Sequence, residues 1–286
     1  MSFGLHSATE SADGTAIGYR TIGTGSGLVI LHGAMESASS HTELAAELSD
    51  SHTVYLPDRR GRGLSGPHRT NHDIRTEVED LAAMRAATGA ADVLGVSSGA
   101  IVALEAALRL PEVHRMAIFE PPLIIGDSLS TGFVARYREE LARGDLASAL
   151  VTGMKGAQMG PAIFAHVPRP LLRALTVAAM GREDRTLGPS EVTMRALAPT
   201  LNYDFMLADQ MRDRLDAYSS ITAEVLLLDG QSSPAYLRTA INALAAVLPR
   251  AHRITFPGLG HGATGNARFG GKPAVVAGPL KEFFSD

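Results

Sequence analysis

The sequence of 286 residues contains no cysteine. A disulfide framework, a thiol nucleophile and a thiolate metal site are therefore excluded. Charge of one sign is not in excess either, because 26 basic residues stand against 30 acidic ones and the formal net charge is -4. This balance gives no reason to expect nucleic acid or an acidic membrane surface as a partner.

Long apolar runs are also missing, since no segment approaches the length needed to cross a bilayer. The N-terminal stretch MSFGLHSATESADG lacks the basic region and apolar run of a secretory signal. We therefore expect a soluble cytoplasmic protein. Histidines and carboxylates do not cluster at metal-ligand spacing, so we expect no metal, and no motif calls for a cofactor.

What the sequence does contain is a regular alternation of strand-like and helix-like segments. Residues 6–23 predict a hairpin that turns at Asp13-Gly14. Short apolar runs typical of buried strands follow at 27–33, 51–58, 91–98, 114–122, 224–230 and 252–258. Segments with helical periodicity lie between most of them. The sequence therefore predicts an α/β fold with a doubly wound, mostly parallel sheet.

One long stretch breaks this alternation. Residues 123–220 contain only helix-like and loop-like segments, which predicts a helical cap inserted into a core formed by residues 1–122 and 221–286. The cap is rich in methionine and has scattered aromatic residues, which suit an adaptable apolar pocket wall. The same side chains could simply pack the insertion against the sheet, and for most of them we favour that interpretation.

A candidate nucleophile lies in Gly95-Val96-Ser97-Ser98-Gly99, which fits the pattern G-x-S-x-G. An apolar strand precedes it and an amphipathic helix follows, the context in which a sharp turn lifts a serine hydroxyl above the sheet edge. The helix N-terminus adds a positive dipole and free N–H groups. The alternative is a glycine-rich turn without chemistry.

These residues, together with LVILHGAMES, PDRRGRGLSG and PGLGHG, resemble the α/β-hydrolase superfamily over nearly the whole chain. The resemblance implies that the amides of Ala34 and Ser98 form an oxyanion hole. It also implies that Gly33 shapes the turn and, with Met35, borders the substrate. His32, Asp58 and Arg59 are expected to have structural roles.

The resemblance implies a general base on a loop after the last strand. Among ten histidines, His261 in Pro257-Gly258-Leu259-Gly260-His261-Gly262 has that context, so it is the predicted base. The other histidines that we considered lie in polar sequence surroundings, and we expect them on the surface or in loops. They are His41, His52, His68, His72 and His252.

The triad acid is not where most members of the superfamily have it. After the strand at 224–230 the expected pattern G-x-x-D-P is replaced by Gly230-Gln231-Ser232-Ser233-Pro234. A hydroxyl cannot stabilise an imidazolium as a carboxylate does. Asp229 precedes the glycine and would need a register shift to reach His261, so it is the weaker of two candidates.

Glu120 is the stronger candidate, because it closes an apolar strand whose carboxyl end should meet the nucleophile at one sheet edge. A carboxylate in that position needs a partner, which could be His261 or an arginine. One group of haloalkane dehalogenases and the fungal zearalenone lactonases place the acid after this strand. The elbow and the Glu120-Pro121-Pro122 segment resemble those of the lactonases.

The resemblance implies acyl transfer from Ser97 to water, and we expect an ester or lactone of a moderately large apolar small molecule as substrate. No basic cluster is evident beside the elbow, so strongly acidic substrates are not expected. C–C bond hydrolysis or other cofactor-free chemistry on the same residues stays open. So does a non-catalytic, ligand-binding role, because members of this fold serve many functions. A homodimer is also left open.

Overall fold

A computed structural model describes residues 6–160, 162–188 and 191–285. The N-terminal stretch in which we expect no signal is therefore described only from His6 onward. Eight strands form one sheet in the order β1-β2-β4-β3-β5-β6-β7-β8. The strands are β1 (His6–Glu10), β2 (Ala16–Ile22), β3 (Ser26–Leu31), β4 (His52–Pro57), β5 (Asp92–Val96), β6 (Arg115–Phe119), β7 (Glu224–Gly230) and β8 (Ala251–Phe256).

The sheet is mostly parallel, as predicted. Strands β1 and β2 form the expected antiparallel hairpin, and β2 also pairs antiparallel with β4. All other neighbouring pairs in the sheet, from β4 and β3 through to β7 and β8, are parallel. The carboxyl ends of β3, β5, β6, β7 and β8 therefore meet at one edge, which is where the predicted site residues follow the strands.

Helices cover both faces of the sheet, which confirms the predicted fold class. They are α1 (Thr42–Leu48), α2 (Ile74–Thr88), α3 (Ser98–Ala107), α4 (Phe133–Ala142), α5 (Leu146–Gly156), α6 (Arg169–Thr186), α7 (Met194–Leu197), α8 (Leu201–Gln210), α9 (Ala235–Val247) and α10 (Pro273–Phe284). Along β3, Leu28 and Ile30 belong to a hydrophobic core cluster that also contains residues of α1 and α10. Val29 and Leu31 belong to a second core cluster, which contains residues of α2, α3 and α9. Two-sided burial explains why these strands are continuously apolar.

The described residues between β6 and β7 form only helices and loops, from α4 to a 3-10 helix at Leu215–Ser220. They have a small apolar core of their own, which includes Tyr137, Leu150, Met180 and Leu201. The Tyr137 hydroxyl donates to the carbonyl of Ala198 at 2.6 Å, which ties α4 to the segment before α8. The cap and core limits at 123–220 stay a prediction. Within the described residues, we find no helix with the length and apolarity to span a bilayer.

Candidate active site

The predicted nucleophile lies on a strained turn between β5 and α3. Ser97 has φ 52° and ψ −121°, and its amide donates to the Phe119 carbonyl at 2.8 Å. The positive φ is thus carried by the serine itself, a conformation that costs about 1–3 kcal/mol for a non-glycine residue. Gly99 has a different role. A Cβ on it would lie 2.4 Å from the Leu31 carbonyl oxygen, so the close approach of β3 requires glycine there.

The predicted base reaches this serine from the far end of the chain. His261 follows β8, and its Nε2 lies 3.1 Å from Ser97 Oγ. The imidazole is only 30% exposed and lies beside the Phe119 ring. One ring nitrogen thus faces the candidate nucleophile, and the other is available to an acid.

Glu120, the stronger candidate for that acid, lies at the other ring nitrogen. Its Oε2 lies 2.6 Å from His261 Nδ1, and its Oε1 accepts the Gly230 amide at 2.7 Å. The carboxylate is fully buried, and its described partners include no arginine. The backbone of Glu120 has φ 45°, and its amide is held by the Leu228 carbonyl. Glu120 is therefore a second strained residue at the same sheet edge.

The alternative acid points elsewhere. Asp229 receives two hydrogen bonds from the guanidinium of Arg253, both at 2.9 Å, and a third from the Thr255 hydroxyl. Both of its oxygens are bound to β8, and none of these bonds involves His261. Ser233, in the position expected for an aspartate, is buried, and its hydroxyl has no partner within the described part of the chain.

The predicted oxyanion loop follows β3 and passes close to the nucleophile. A Cβ on Gly33 would lie 2.8 Å from Ser97 Cβ, so only glycine fits at this contact. The Gly33 amide donates to Glu36 Oε2 at 2.7 Å and closes a turn in which Met35 has φ 58°. Neither the Ala34 nor the Ser98 amide has a hydrogen-bond acceptor among the described residues. Both N–H groups are therefore available to a ligand.

A buried charged cluster beside the elbow corrects one expectation from the sequence. Arg59 donates to the Ser98 hydroxyl at 2.9 Å, so a basic group does lie next to the nucleophile turn. Its charge is balanced by Glu77 at 3.0 Å and by Asp204 at 3.1 Å. Asp204 also accepts from Ser98 and from Arg62. Because Asp204 belongs to the cap helix α8, this cluster joins the cap to the elbow.

The pKa values in the cluster follow from this pairing. Burial alone would raise the pKa of Glu77, but Arg59 and a hydrogen bond from His72 hold it well below its usual range. For Asp204, burial also acts upward, and the guanidiniums of Arg62 and Arg59 outweigh it and lower the pKa. Both carboxylates are therefore ionised at neutral pH.

The structural role expected for His32 fits its contacts. Its Nδ1 lies 2.9 Å from the Gly33 carbonyl, and its Nε2 accepts the Arg59 amide at 3.0 Å. Burial, with the nearby charges of Arg62 and Arg59, lowers its pKa to about 3, so the ring is neutral. Asp58 similarly accepts the backbone amides of Ala38 and Leu64.

The expectation that the other histidines lie on the surface or in loops is wrong for His41, which is buried in a 3-10 helix, and for His52, which is buried in β4. His72 is also buried and His68 is half-buried, but both lie in loops, and His252 is exposed, so the expectation holds for these three. The polar neighbours of His41 and His52 in the sequence concealed their burial, because sequence context does not show which side chains the fold covers.

One group of possible metal ligands is present, contrary to the expectation from the sequence. His68, His72 and Glu77 do come together, with one ligand atom of each within 4.8 Å of the others. Both oxygens of Glu77 already bind Arg59, whose positive charge opposes a cation there. The absence of a metal site stays a prediction.

A cavity of about 560 Å³ lies outside the triad. The loop after β4 and the cap form much of its wall, including Arg62, Leu64 and Thr193. Neither Ser97 nor His261 lines it. The geometry of the hydrogen-bonded chain from Ser97 to Glu120, rather than cavity size, therefore identifies the candidate site.

Two residues at the site, Glu36 and Asp204, were not singled out from the sequence. Asp204 lies 106 residues from its partner Ser98 along the chain, so no local pattern could reveal it. The arginine-rich stretch PDRRGRG is the one signal that was present, because buried arginines require nearby carboxylates.

Comparison with known proteins agrees with the fold. A model of the alpha/beta hydrolase family matches residues 28–277. The pimeloyl-[acyl-carrier protein] methyl ester esterase of Xanthomonas campestris is 30% identical over 277 residues, which cover 92% of this chain and 96% of that protein. The 2-(acetamidomethylene)succinate hydrolase of Mesorhizobium japonicum is 25% identical over 247 residues, 85% of this chain and 84% of that protein. The crystal structure of an alpha/beta hydrolase from Sphaerobacter thermophilus superposes with a TM-score of 0.78 at 32% identity, covering 97% of this chain and 100% of that one.

Proposed function

The chain belongs to the alpha/beta hydrolase family, and on this basis we propose that it cleaves carboxylic esters or lactones through an acyl-enzyme on Ser97. The observation that carries the proposal is the continuous hydrogen-bonded chain Ser97–His261–Glu120. The methyl ester esterase named above supports an ester as the substrate class. The lactone is the finer part of the proposal and is supported only by the sequence pattern around Ser97 and Glu120.

The geometry suits the two halves of an acyl transfer. Glu120 accepts the Nδ1 proton of His261, which leaves the Nε2 lone pair directed at the Ser97 hydroxyl. As Ser97 Oγ attacks the carbonyl carbon, Nε2 takes its proton, and the imidazolium then protonates the leaving alkoxide. In the second half, water gives its proton to Nε2 and attacks the acyl-enzyme. Ser97 leaves with the proton, and the acid is released.

The amides of Ala34 and Ser98 are proposed to stabilise the oxyanion. Both lack acceptors among the described residues, and Ser98 is the first residue of α3, where the helix dipole favours negative charge. Losing one such donor typically costs about 10²–10³ in rate.

The cap supports an apolar substrate. Ala34 and Met35 pack against the cap cluster that includes Leu150 and Leu201, together with Met159, Met194 and Phe205. The oxyanion loop is therefore covered by apolar side chains, and Met35 lies at the junction of loop and cap. Other cap residues pack inside the protein, as the plainer interpretation predicts, since Met180 and Met211 are buried.

The charged cluster does not favour an acidic substrate, although two arginines are near the elbow. Arg59 uses its guanidinium on Glu77, Asp204, Ser98 and the His32 carbonyl. These bonds leave it bound within the protein, and its charge is balanced. A neutral ester or lactone remains the better match.

The test combines covalent labelling with hydrolysis. Wild type should react with a fluorophosphonate probe and hydrolyse a short-chain p-nitrophenyl ester, whereas Ser97→Ala should do neither. A wild type that is not labelled would favour a ligand-binding role. A labelled protein that hydrolyses neither esters nor lactones would favour C–C bond cleavage, which product analysis would detect.

A further inference from the structure

His41 is a buried imidazole that the proposed mechanism does not use. It ends the 3-10 helix Ala38–His41 and is fully buried. Its Nε2 lies 3.1 Å from Glu36 Oε2, and its Nδ1 lies 3.1 Å from the Thr264 carbonyl oxygen. A carbonyl and a carboxylate only accept hydrogen bonds, so both ring nitrogens must donate. His41 is therefore an imidazolium.

One side of this imidazolium holds the oxyanion loop. The Glu36 oxygen that faces His41 also accepts the Gly33 amide, at 2.7 Å. This bond closes the turn that contains Met35 with its positive φ and presents the Ala34 amide. The carboxylate thus keeps a strained turn closed, and the charge of His41 keeps the carboxylate in place.

The other side holds the loop of the proposed base. Thr264 comes three residues after His261, in consecutive turns closed by the Ala263 amide to Gly260 and by the Gly265 amide to Gly262. Anchoring the Thr264 carbonyl fixes these turns relative to the oxyanion loop. His41 is therefore a bridge between the two loops that carry the base and an oxyanion donor.

We propose that His41 is a positioning residue, whose two N–H donors set the oxyanion loop and the His261 loop at the separation that acyl transfer requires. The inference rests on the proposed function, since it concerns the same site. It adds a charged residue that contacts neither the substrate nor the triad and acts through Glu36 and Thr264.

This role gives the reaction an alkaline limit. Burial alone would lower the pKa of His41, but the Glu36 carboxylate outweighs it and raises the pKa above its ordinary value. The pKa of Glu36 is lowered to about 2, so it stays ionised, and the neighbouring His32 is neutral. The bridge is intact below the folded pKa of His41. It loses one hydrogen bond as the pH rises through that value.

The test compares His41→Phe, His41→Gln and the control Asn266→Ala. Asn266 joins the same two segments without touching Glu36. Its side-chain nitrogen donates to the Ser39 carbonyl, and its side-chain oxygen accepts from the backbone amide of Glu43. The readouts are kcat and KM for the p-nitrophenyl ester from pH 6 to 10, per folded protein.

In His41→Phe we expect kcat to fall by about tenfold or more, which is part of the rate lost when an oxyanion donor is removed. KM should change by less than about threefold. His41→Gln retains one donor and should lie between His41→Phe and wild type. The alkaline decline of wild type should be absent in both variants and retained in Asn266→Ala. If His41→Phe does not fold, the wild-type pH profile and His41→Gln still decide the question.

Three results would overturn the inference while leaving the proposed function intact: a wild-type kcat in His41→Phe, an alkaline limit that persists without His41, or an equal loss of kcat in Asn266→Ala. Nitrogen NMR of wild type provides a readout that does not depend on activity. It should show both nitrogens of His41 protonated at pH 7, and an unprotonated one would contradict the bridge. A wild type without labelling or hydrolysis would overturn the proposed function and this inference together.

Discussion

The hydroxyl of Ser98 donates to Asp204 Oδ1 at 2.8 Å, and this bond joins the elbow to the cap. Ser98 directly follows the proposed nucleophile, whereas Asp204 lies on α8, so cap and site share one buried hydrogen-bond network. Arg59 and Arg62 complete it from the loop after β4. The position of the cap is therefore coupled to the residue whose amide is proposed to bind the oxyanion.

Asp204→Ala should destabilise the protein strongly, because it leaves Arg59 and Arg62 without a shared counter-charge. We expect a loss of about 3–5 kcal/mol in the free energy of unfolding, the usual cost of breaking a buried pair. Asp209→Ala is the control on the same helix, since the Asp209 side chain is 65% exposed and should matter by less than about 0.5 kcal/mol. Urea unfolding measures both. Equal stability of the two variants would contradict a structural role for the network.

Stability should decrease in acid because of the same network. Since the folded pKa of Glu77 lies well below its unfolded value, its contribution is present above the unfolded pKa of about 4.3 and is lost as the pH falls through the folded pKa. Glu77→Gln should be less stable than wild type at pH 7. It should also show a shallower decline of the unfolding free energy between about pH 4 and pH 2. Parallel curves for the two proteins would contradict this assignment.

Glu120→Gln should lower kcat by about 10³–10⁴, because an amide can favour the wrong tautomer of His261 and cannot stabilise an imidazolium. Asp229→Asn is the matched control, since its carboxylate is bound to Arg253 rather than to His261. It should keep kcat within about twofold of wild type, even if it loses stability. Hydrolysis of a p-nitrophenyl ester at equal folded concentration separates the two. A fully active Glu120→Gln would remove Glu120 from the mechanism.

Gly33→Ala should impair the reaction more than the fold. Its methyl group would lie 2.8 Å from Ser97 Cβ and 3.1 Å from Glu36 Oε2. Displacing the nucleophile or the oxyanion loop by about 1 Å can cost on the order of 10² in rate. Gly262→Ala is the control beside His261, because a Cβ there meets nothing within 4 Å. Steady-state kinetics and thermal unfolding of both variants test this prediction. A fully active Gly33→Ala would contradict it and show that the oxyanion loop can move to accommodate the methyl group.

Local patterns were sufficient for much of the site. A strand, G-x-S-x-G and a helix in succession predict the turn at Ser97, because each part is contiguous in the chain. His261 was predicted from the α/β-hydrolase resemblance, which implies a base on the loop after the last strand. Glu120 could be chosen over Asp229 because parallel strands bring their carboxyl ends together, and the structure then joins Glu120 to His261 across 141 residues.

What the sequence by itself determined is the succession of elements, since continuous apolar strands and amphipathic helices can bury their side chains only in a layered α/β fold. The tertiary structure alone decided which polar side chains are buried and with what. His41 has polar neighbours in the chain and Asp204 stands between two aromatic residues, yet the fold covers both and provides partners for them more than 100 residues away. The reason is physical. A buried charge is tolerated only beside its counterpart, and which charges become neighbours depends on how distant segments are brought together.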